Sequence, residues 1–160
     1  MLDVVIGIDP DIDKNGMAIV YPKTKEISLY SLDLGQLMIY LDTFKQRYSA
    51  RQFRVYVEAG WLNKGNYHLT HYDSKQSAAR KGVDQGRNHQ RGIDIVELCK
   101  YNNIPVEEIK PLQLVWVKGK ISHQELIRYM PVVKKKTNQE ERDAALIAWV
   151  MANLPFRAQK

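Results

Sequence analysis

The chain is poor in cysteine: a single one, Cys99, stands among 160 residues. An internal disulfide is therefore excluded, and a reducing compartment is suggested. The four histidines, His68, His71, His89 and His123, do not combine with that cysteine in structural-zinc spacing. No GxxxxGK[ST] phosphate loop occurs, and Ser122 beside His123 lacks the context of a nucleophile elbow, which argues against serine hydrolase chemistry. No apolar run approaches the length needed to cross a bilayer, and the opening Met-Leu-Asp-Val-Val-Ile-Gly-Ile-Asp-Pro has no basic n-region. A cytoplasmic protein without a membrane partner is expected. Internal repeats, linkers and low-complexity tracts are missing too. One domain over residues 1–160 follows, large enough to bury about two-thirds of its unfolded surface. Acids are the minority charge, 18 against 24 Lys and Arg, for a net charge of +6 and a sequence pI near 9.3. That balance is compatible with a nucleic-acid partner but does not demand one.

What is present is a repeated design. Residues 4 to 9, Val-Val-Ile-Gly-Ile-Asp, are apolar until they end in a carboxylate, and residues 53 to 58, Phe-Arg-Val-Tyr-Val-Glu, end likewise. A strand of this kind delivers its acid to the rim of a sheet, because an unpaired charge is not buried in a core. Between them, residues 16–21 and 26–32 read as strands joined by short turns, hence an antiparallel meander. Residues 35–48 then change period, with Leu37, Leu41, Phe44 and Tyr48 on one helical stripe. A helix there can cross back over the sheet and set the strand ending in Glu58 parallel to the one ending in Asp9. Neighbouring parallel strands lie about 4.8 Å apart and open on the same edge, so Asp9 and Glu58 converge.

Residues 61–73 have no clear period and read as an exposed loop rich in aromatic and basic residues, Trp61 and Lys64 among them. Residues 74–101 read as mainly helical, with Gly82, Gly86 and Gly92 marking either a break or close packing. Residues 105–109 form a short fifth strand. Ser122-His-Gln-Glu125 is a capping-box pattern, and its helix stops before Pro131, with Leu126, Ile127 and Met130 apolar. Thr137-Asn-Gln-Glu140 repeats the pattern before a last helix whose apolar face holds Ala144, Ile147, Ala148 and Met151. Glu140 and Asp143, three apart, share a face of that helix.

Four acids from three distant segments, in a basic chain, suggest a divalent-metal site acting on a polyanion. Phosphodiester hydrolysis needs an activated water and stabilisation of both the attacking and the leaving oxygen, which two magnesium ions about 3.5–4 Å apart supply. Magnesium prefers oxygen ligands and needs few carboxylates from the protein. Without metal, clustered acids repel and some hold protons near neutrality. Each acid also has a bland alternative. Asp9 before Pro10 can begin a turn, Glu58 can simply end a strand, and Asp143 can pair with a lysine. Glu140 can be consumed by a capping box, leaving Glu141 as the competing ligand.

These motifs resemble the RuvC-like Holliday-junction resolvases of the RNase H-like nuclease superfamily. Ile6-Gly7-Ile8-Asp9-Pro10 with Gly16-Met-Ala is similar to that family's first acidic motif, Tyr56-Val-Glu58 to its second, and Glu140-x-x-Asp143-Ala-Ala-Leu to its third. Gln90-Arg91-Gly92, Pro105-Val and Gly119-Lys-Ile-Ser-His-Gln-Glu125-Leu resemble the central helix, fifth strand and following loop-helix. The similarity spans nearly the whole chain. It implies an α/β RNase H-like fold: a five-stranded mixed sheet, strands 1–3 an antiparallel meander and strands 4 and 5 parallel to strand 1, flanked by helices. It also implies two magnesium ions, with manganese as a substitute. Asp9 would bridge them, Glu58 would bind one, and Glu140 with Asp143 would complete the other. Trp61 matches a position that stacks on bases at the crossover; its alternative is a hydrophobic anchor of the loop. Lys118 and Lys120 fall in a loop resembling the family's basic loop near the scissile phosphate. The family often has aspartate where Glu140 stands, the loop before Ser122 is shortened, and residues 63–73 are expanded.

Lys134-Lys135-Lys136 before the last helix is either a phosphate clamp or a solvated run. Arg80, Lys81, Arg87 and Arg91 cluster on the central segment, where phosphate contacts would position a substrate without reading sequence. The resemblance implies a homodimer with helix faces in residues 74–101, paired nicks in a four-way junction, and 5′-phosphate and 3′-hydroxyl products. Three other readings stand beside it: an RNase H-like nuclease acting on other branched DNA or structured RNA, a catalytically inactive DNA-binding module, and an actin-like nucleotide-binding domain. The small size and the third acidic motif count against the last.

Overall fold

The computed structural model describes residues 2–63, 70, 72–113 and 120–156. Strands β1 (Val4–Asp9), β2 (Asn15–Tyr21) and β3 (Glu26–Leu32) form the meander, and helix α1 (Leu34–Arg47) returns the chain to β4 (Phe53–Glu58). A short 3-10 turn (Gly60–Leu62), the long helix α2 (Lys75–Tyr101), strand β5 (Val106–Ile109), helix α3 (His123–Tyr129) and helix α4 (Gln139–Met151) follow. The sheet order is β3-β2-β1-β4-β5. Among the described strands only β2 runs against the others: β1–β2 and β2–β3 are antiparallel, whereas β1–β4 and β4–β5 are parallel. This is the five-stranded mixed sheet that the motifs imply.

The sheet is covered on both faces, which explains why β1 and β4 are nearly continuous apolar runs. Side chains alternate between faces along a strand. Val4, Ile6 and Ile8 of β1, with Phe53, Val55 and Val57 of β4, join the core under α1 and α2, which supply Leu37, Leu41, Phe44, Ile95 and Val96. Val5 of β1, Ala18 and Val20 of β2, and Tyr56 of β4 face the other way and pack with Leu126 and Met130 at the α3 end and with Ala144, Ile147 and Ala148 of α4. Complete burial of a side chain such as Ile6 or Leu126 contributes about 1.5–3 kcal/mol. By the same alternation Asp9 and Glu58 lie on the α4 face.

Local chemistry accounts for the helix boundaries. Asp33 caps α1 and Ser122 caps α3, each in a complete capping box with Gln36 or Glu125. The last helix departs from expectation by one residue. Its N-cap is Asn138, and the box closes on Glu141 rather than joining Thr137 to Glu140. Asn caps a helix as well as Thr or better, and buried Thr137 is engaged by His123 and Arg142 instead. Ile127, read as part of the apolar face of α3, is exposed.

Helix α2 is unbroken through its three glycines. A Cβ at Gly92 would collide with the Trp61 ring and press on Pro10, so this glycine marks close packing, whereas nothing lies near Gly82 or Gly86. Only the C-terminal half of α2 buries residues, namely Gly92, Ile95, Val96 and Cys99. Burial pushes the Cys99 thiol up to about 12, so it acts as a core residue. No described helix is long and apolar enough to cross a membrane.

Candidate acidic site

Register places the first two acids. Ile8 pairs with Val57, so the next residues on adjacent parallel strands, Asp9 and Glu58, emerge side by side at the same sheet edge. Asp9 is paired across to Gly16 of β2. Two glycines admit α4: a Cβ at Gly7 would stand 2.6 Å from both Ala144 O and Ala148 N, and one at Gly16 would land on the carbonyl of Glu140. With these side chains missing, the first turns of α4 lie directly on β1 and β2 and bring Glu140 and Asp143 over the strand ends.

All four acids line one cleft of about 670 Å³, together with Pro10, Asp11, Trp61, Lys120 and Gln139; Lys81, Asp84, Gln85, Asn88 and His89 of α2 contribute the opposite wall. The electrostatics agree with this convergence. The Asp9 carboxyl is held well above the ordinary range, first by burial and then by the charges of Glu58, Asp143 and Glu140. Glu58 is raised by burial and by Asp143, against a lowering hydrogen bond from the Leu112 backbone. Asp143 is raised chiefly by burial, opposed by the Gln139 hydrogen bond and the charges of Lys120 and Arg142.

The geometry separates Glu140 from Glu141. Glu141 is 5% exposed, accepts the Asn138 N–H and receives the Lys135 ammonium at 2.6 Å. It is tied into the helix start, while Glu140 faces the cleft. The helix cap does not occupy Glu140 because the box begins one residue later than the sequence pattern suggests.

Among the described residues, no three His, Cys, Asp or Glu side chains are grouped as a set that would hold one ion. The four acids line the cleft without closing a cage around one ion. Their all-oxygen donor set fits magnesium, which keeps several waters and takes one or two carboxylates plus substrate phosphate.

The proposed DNA-facing residues divide. Lys120 lines the cleft beside Asp143. Arg87, Lys134 and Lys136 are exposed. Lys135 is not a free clamp, since it bonds Glu141 and the Leu29 carbonyl. Arg91 is also committed: its Nη2 donates to Ile12 O at 3.0 Å, bracing the β1–β2 turn against α2. Trp61 lines the cleft yet is half-buried against the core and set edge-on to His89, so the anchoring role is realised in its packing. Lys64 and Lys118 lie outside the described residues.

Several site neighbours have no sequence signature. Asn15 is buried, accepts the Asp11 N–H and donates to Leu32 O; its spacing from Asp11 in a turn is the one available clue. Asn88 accepts the Ile12 N–H and donates to Asp11, a contact across 76 residues that only the folded chain reveals.

No protein-family model and no curated protein sequence matches the chain. Among solved structures it is similar to T. thermophilus RuvC in complex with Holliday junction substrate, at 16% sequence identity and a TM-score of 0.46, covering 96% of this chain and 99% of that one. The fold assignment rests on the strand order and register described above.

Proposed function

We propose that the chain is a magnesium-dependent endonuclease of branched DNA that nicks four-way junctions. One observation carries the chemistry: Asp9, Glu58, Glu140 and Asp143 line a single cleft, where burial and then the charges of the other three acids raise the proton affinity of Asp9. Such repulsion is costly for a purely structural cluster, whereas a cation site uses it. Two magnesium ions bound there, or manganese in their place, would supply an activated water and charge stabilisation at the leaving oxygen.

The chain's own residues do the rest. Asp9, Glu58, Glu140 and Asp143 would hold the ions: Asp9 would contribute to both, Glu58 to one and Glu140 with Asp143 to the other, with substrate phosphate completing each. Lys120, beside Asp143, holds a phosphate against the acids. Exposed Arg87, Lys134 and Lys136 hold flanking backbone, and Trp61, fixed by Gly92 and Pro10, offers an aromatic edge at the cleft mouth. Paired cuts on opposite strands of a junction require two such sites, and a homodimer supplies them. Cleavage leaves 5′-phosphate and 3′-hydroxyl ends.

The test is a substrate panel with magnesium. Intact four-way junctions should be bound and nicked symmetrically, and Asp9→Asn should abolish nicking while binding is retained. Unchanged cutting by Asp9→Asn would refute the acidic-site mechanism. Cleavage of structured RNA with no action on junctions would instead move the protein to another nuclease activity.

A further inference from the structure

Arg142 stands between Glu140 and Asp143 in sequence but takes no place among the acids, because its guanidinium is bonded elsewhere. Nε donates to Ile121 O at 2.8 Å, Nη1 to Thr137 O at 2.6 Å, and Nη2 to Gln139 Oε1 at 2.9 Å. The Gln139 amide then donates through Nε2 to Asp143 Oδ1 at 2.8 Å. Chemistry fixes the direction of this chain of bonds. A guanidinium only donates and an ionised carboxylate only accepts, so the amide between them must turn its oxygen to Arg142 and its nitrogen to Asp143.

Two segments are joined by it. Ile121 follows Lys120, the cation at the cleft, and is 21 positions from Arg142. Thr137, whose hydroxyl also meets His123 Nδ1 at 3.0 Å, stands immediately before the α4 cap. The planar fork of arginine reaches both carbonyls and the amide together, a pattern that lysine cannot copy. An i,i+4 Gln–Asp pair on an open helix contributes about 0.2–0.5 kcal/mol. Here the glutamine is itself oriented by a group anchored on two other segments.

We propose that Arg142 and Gln139 are positioning residues that lock Asp143 and the end of the Lys120 loop into one unit. The inference rests on reading Asp143 as a member of the acidic site. The two residues have separable effects. Gln139 acts on Asp143 alone, whereas Arg142 acts on Asp143 and on the loop.

The experiment compares Gln139→Leu, Arg142→Met and Arg142→Lys with the parent. It measures the side-chain carboxyl 13C resonance of Asp143 in metal-free protein, junction affinity without divalent metal, and the nicking rate with magnesium. Gln139→Leu should move the Asp143 resonance, leave junction affinity unchanged, and lower kcat by about tenfold to a hundredfold, the usual consequence of displacing a reacting group. Arg142→Met should do the same and also weaken junction binding severalfold, and Arg142→Lys should not restore either property. An unmoved Asp143 resonance in both Gln139→Leu and Arg142→Met would overturn the proposal, as would equal losses of affinity and rate in the two variants. Should Arg142→Met fail to fold, Gln139→Leu, which leaves the bonds from Arg142 to Ile121 and Thr137 in place, still decides. If the parent cuts no nucleic acid, the nuclease reading fails while the resonance still tests the brace.

Discussion

Gly16→Ala is the sharpest structural perturbation of the site. The added methyl would land on the main-chain carbonyl of Glu140, with the Glu140 Cα 3.1 Å away. Backbone, unlike the end of a flexible side chain, has no rotamer by which to yield. Either α4 lifts from β2 or the start of β2 bends away from β1, where Gly16 pairs with Asp9. Overpacking of this kind costs about 1–3 kcal/mol. In a chain of this size 1 kcal/mol shifts Tm by about 2–4 °C, so the melting point should fall by roughly 2–12 °C. Activity should fall further than stability explains, because Glu140 moves relative to Asp9 and displacement by about 1 Å costs on the order of a hundredfold in rate. Gly82→Ala is the matched control. It lies in the exposed half of α2 with nothing within 4 Å, and replacing a mid-helix glycine gains about 0.5–1 kcal/mol. Thermal melts followed by circular dichroism, with nicking assays on the same samples, give both quantities. A Gly16→Ala protein with parental Tm and rate would refute the claim that this glycine sets the height of α4 over the acids.

Asp9 makes a pH-dependent prediction for metal-free protein. Its folded carboxyl lies well above the unfolded value of 3.8, mainly through burial, so stability from this group is complete below that value and is lost as pH rises through the folded one. Each unit of such a shift is about 1.4 kcal/mol. Asp9→Asn should therefore raise the metal-free Tm by a few degrees or more at neutral pH and leave it unchanged near pH 3; a Tm difference independent of pH would contradict this. Lys135→Met strands the buried Glu141 carboxylate and should cost about 1–2 kcal/mol, less than a fully buried pair because Lys135 is half-exposed. Adding Glu141→Gln should recover part of the loss in urea denaturation, and full additivity would show that the pair is unimportant. Lys134→Ala and Lys136→Ala should each weaken junction binding and reduce the slope of log affinity against log salt by about 0.9 for each phosphate that is no longer neutralised. An unchanged slope in both would remove them from the DNA-binding surface.

The strands are legible because burial on both faces writes itself as uninterrupted apolar runs, and β1 and β4 begin and end where the sequence indicates. Convergence of Asp9 and Glu58 follows from a helical crossover that forces parallel pairing. The start of α4 reads one position too early because Thr137 and Asn138 are both competent caps, and only the burial of Thr137 beside Arg142 and His123 separates them. That single step decides which glutamate faces the cleft. Lys135 and Arg91 are equally opaque. A lysine run or an arginine on a helix looks available for phosphate until a partner remote in sequence, Leu29 O in one case and Ile12 O in the other, is brought to it. The opposite wall of the cleft has no local signature, since Gln85 and Asn88 acquire meaning only from the position of α2 against the β1–β2 turn.

Whether remote acids jointly hold a pair of cations is tested most directly by anomalous diffraction from a crystal soaked in manganese. Two peaks about 3.5–4 Å apart are expected, with Asp9 between them, Glu58 on one and Glu140 with Asp143 on the other. A cleft without peaks, or manganese bound only at other acids such as Glu107 and Glu108, would contradict the shared-cation site.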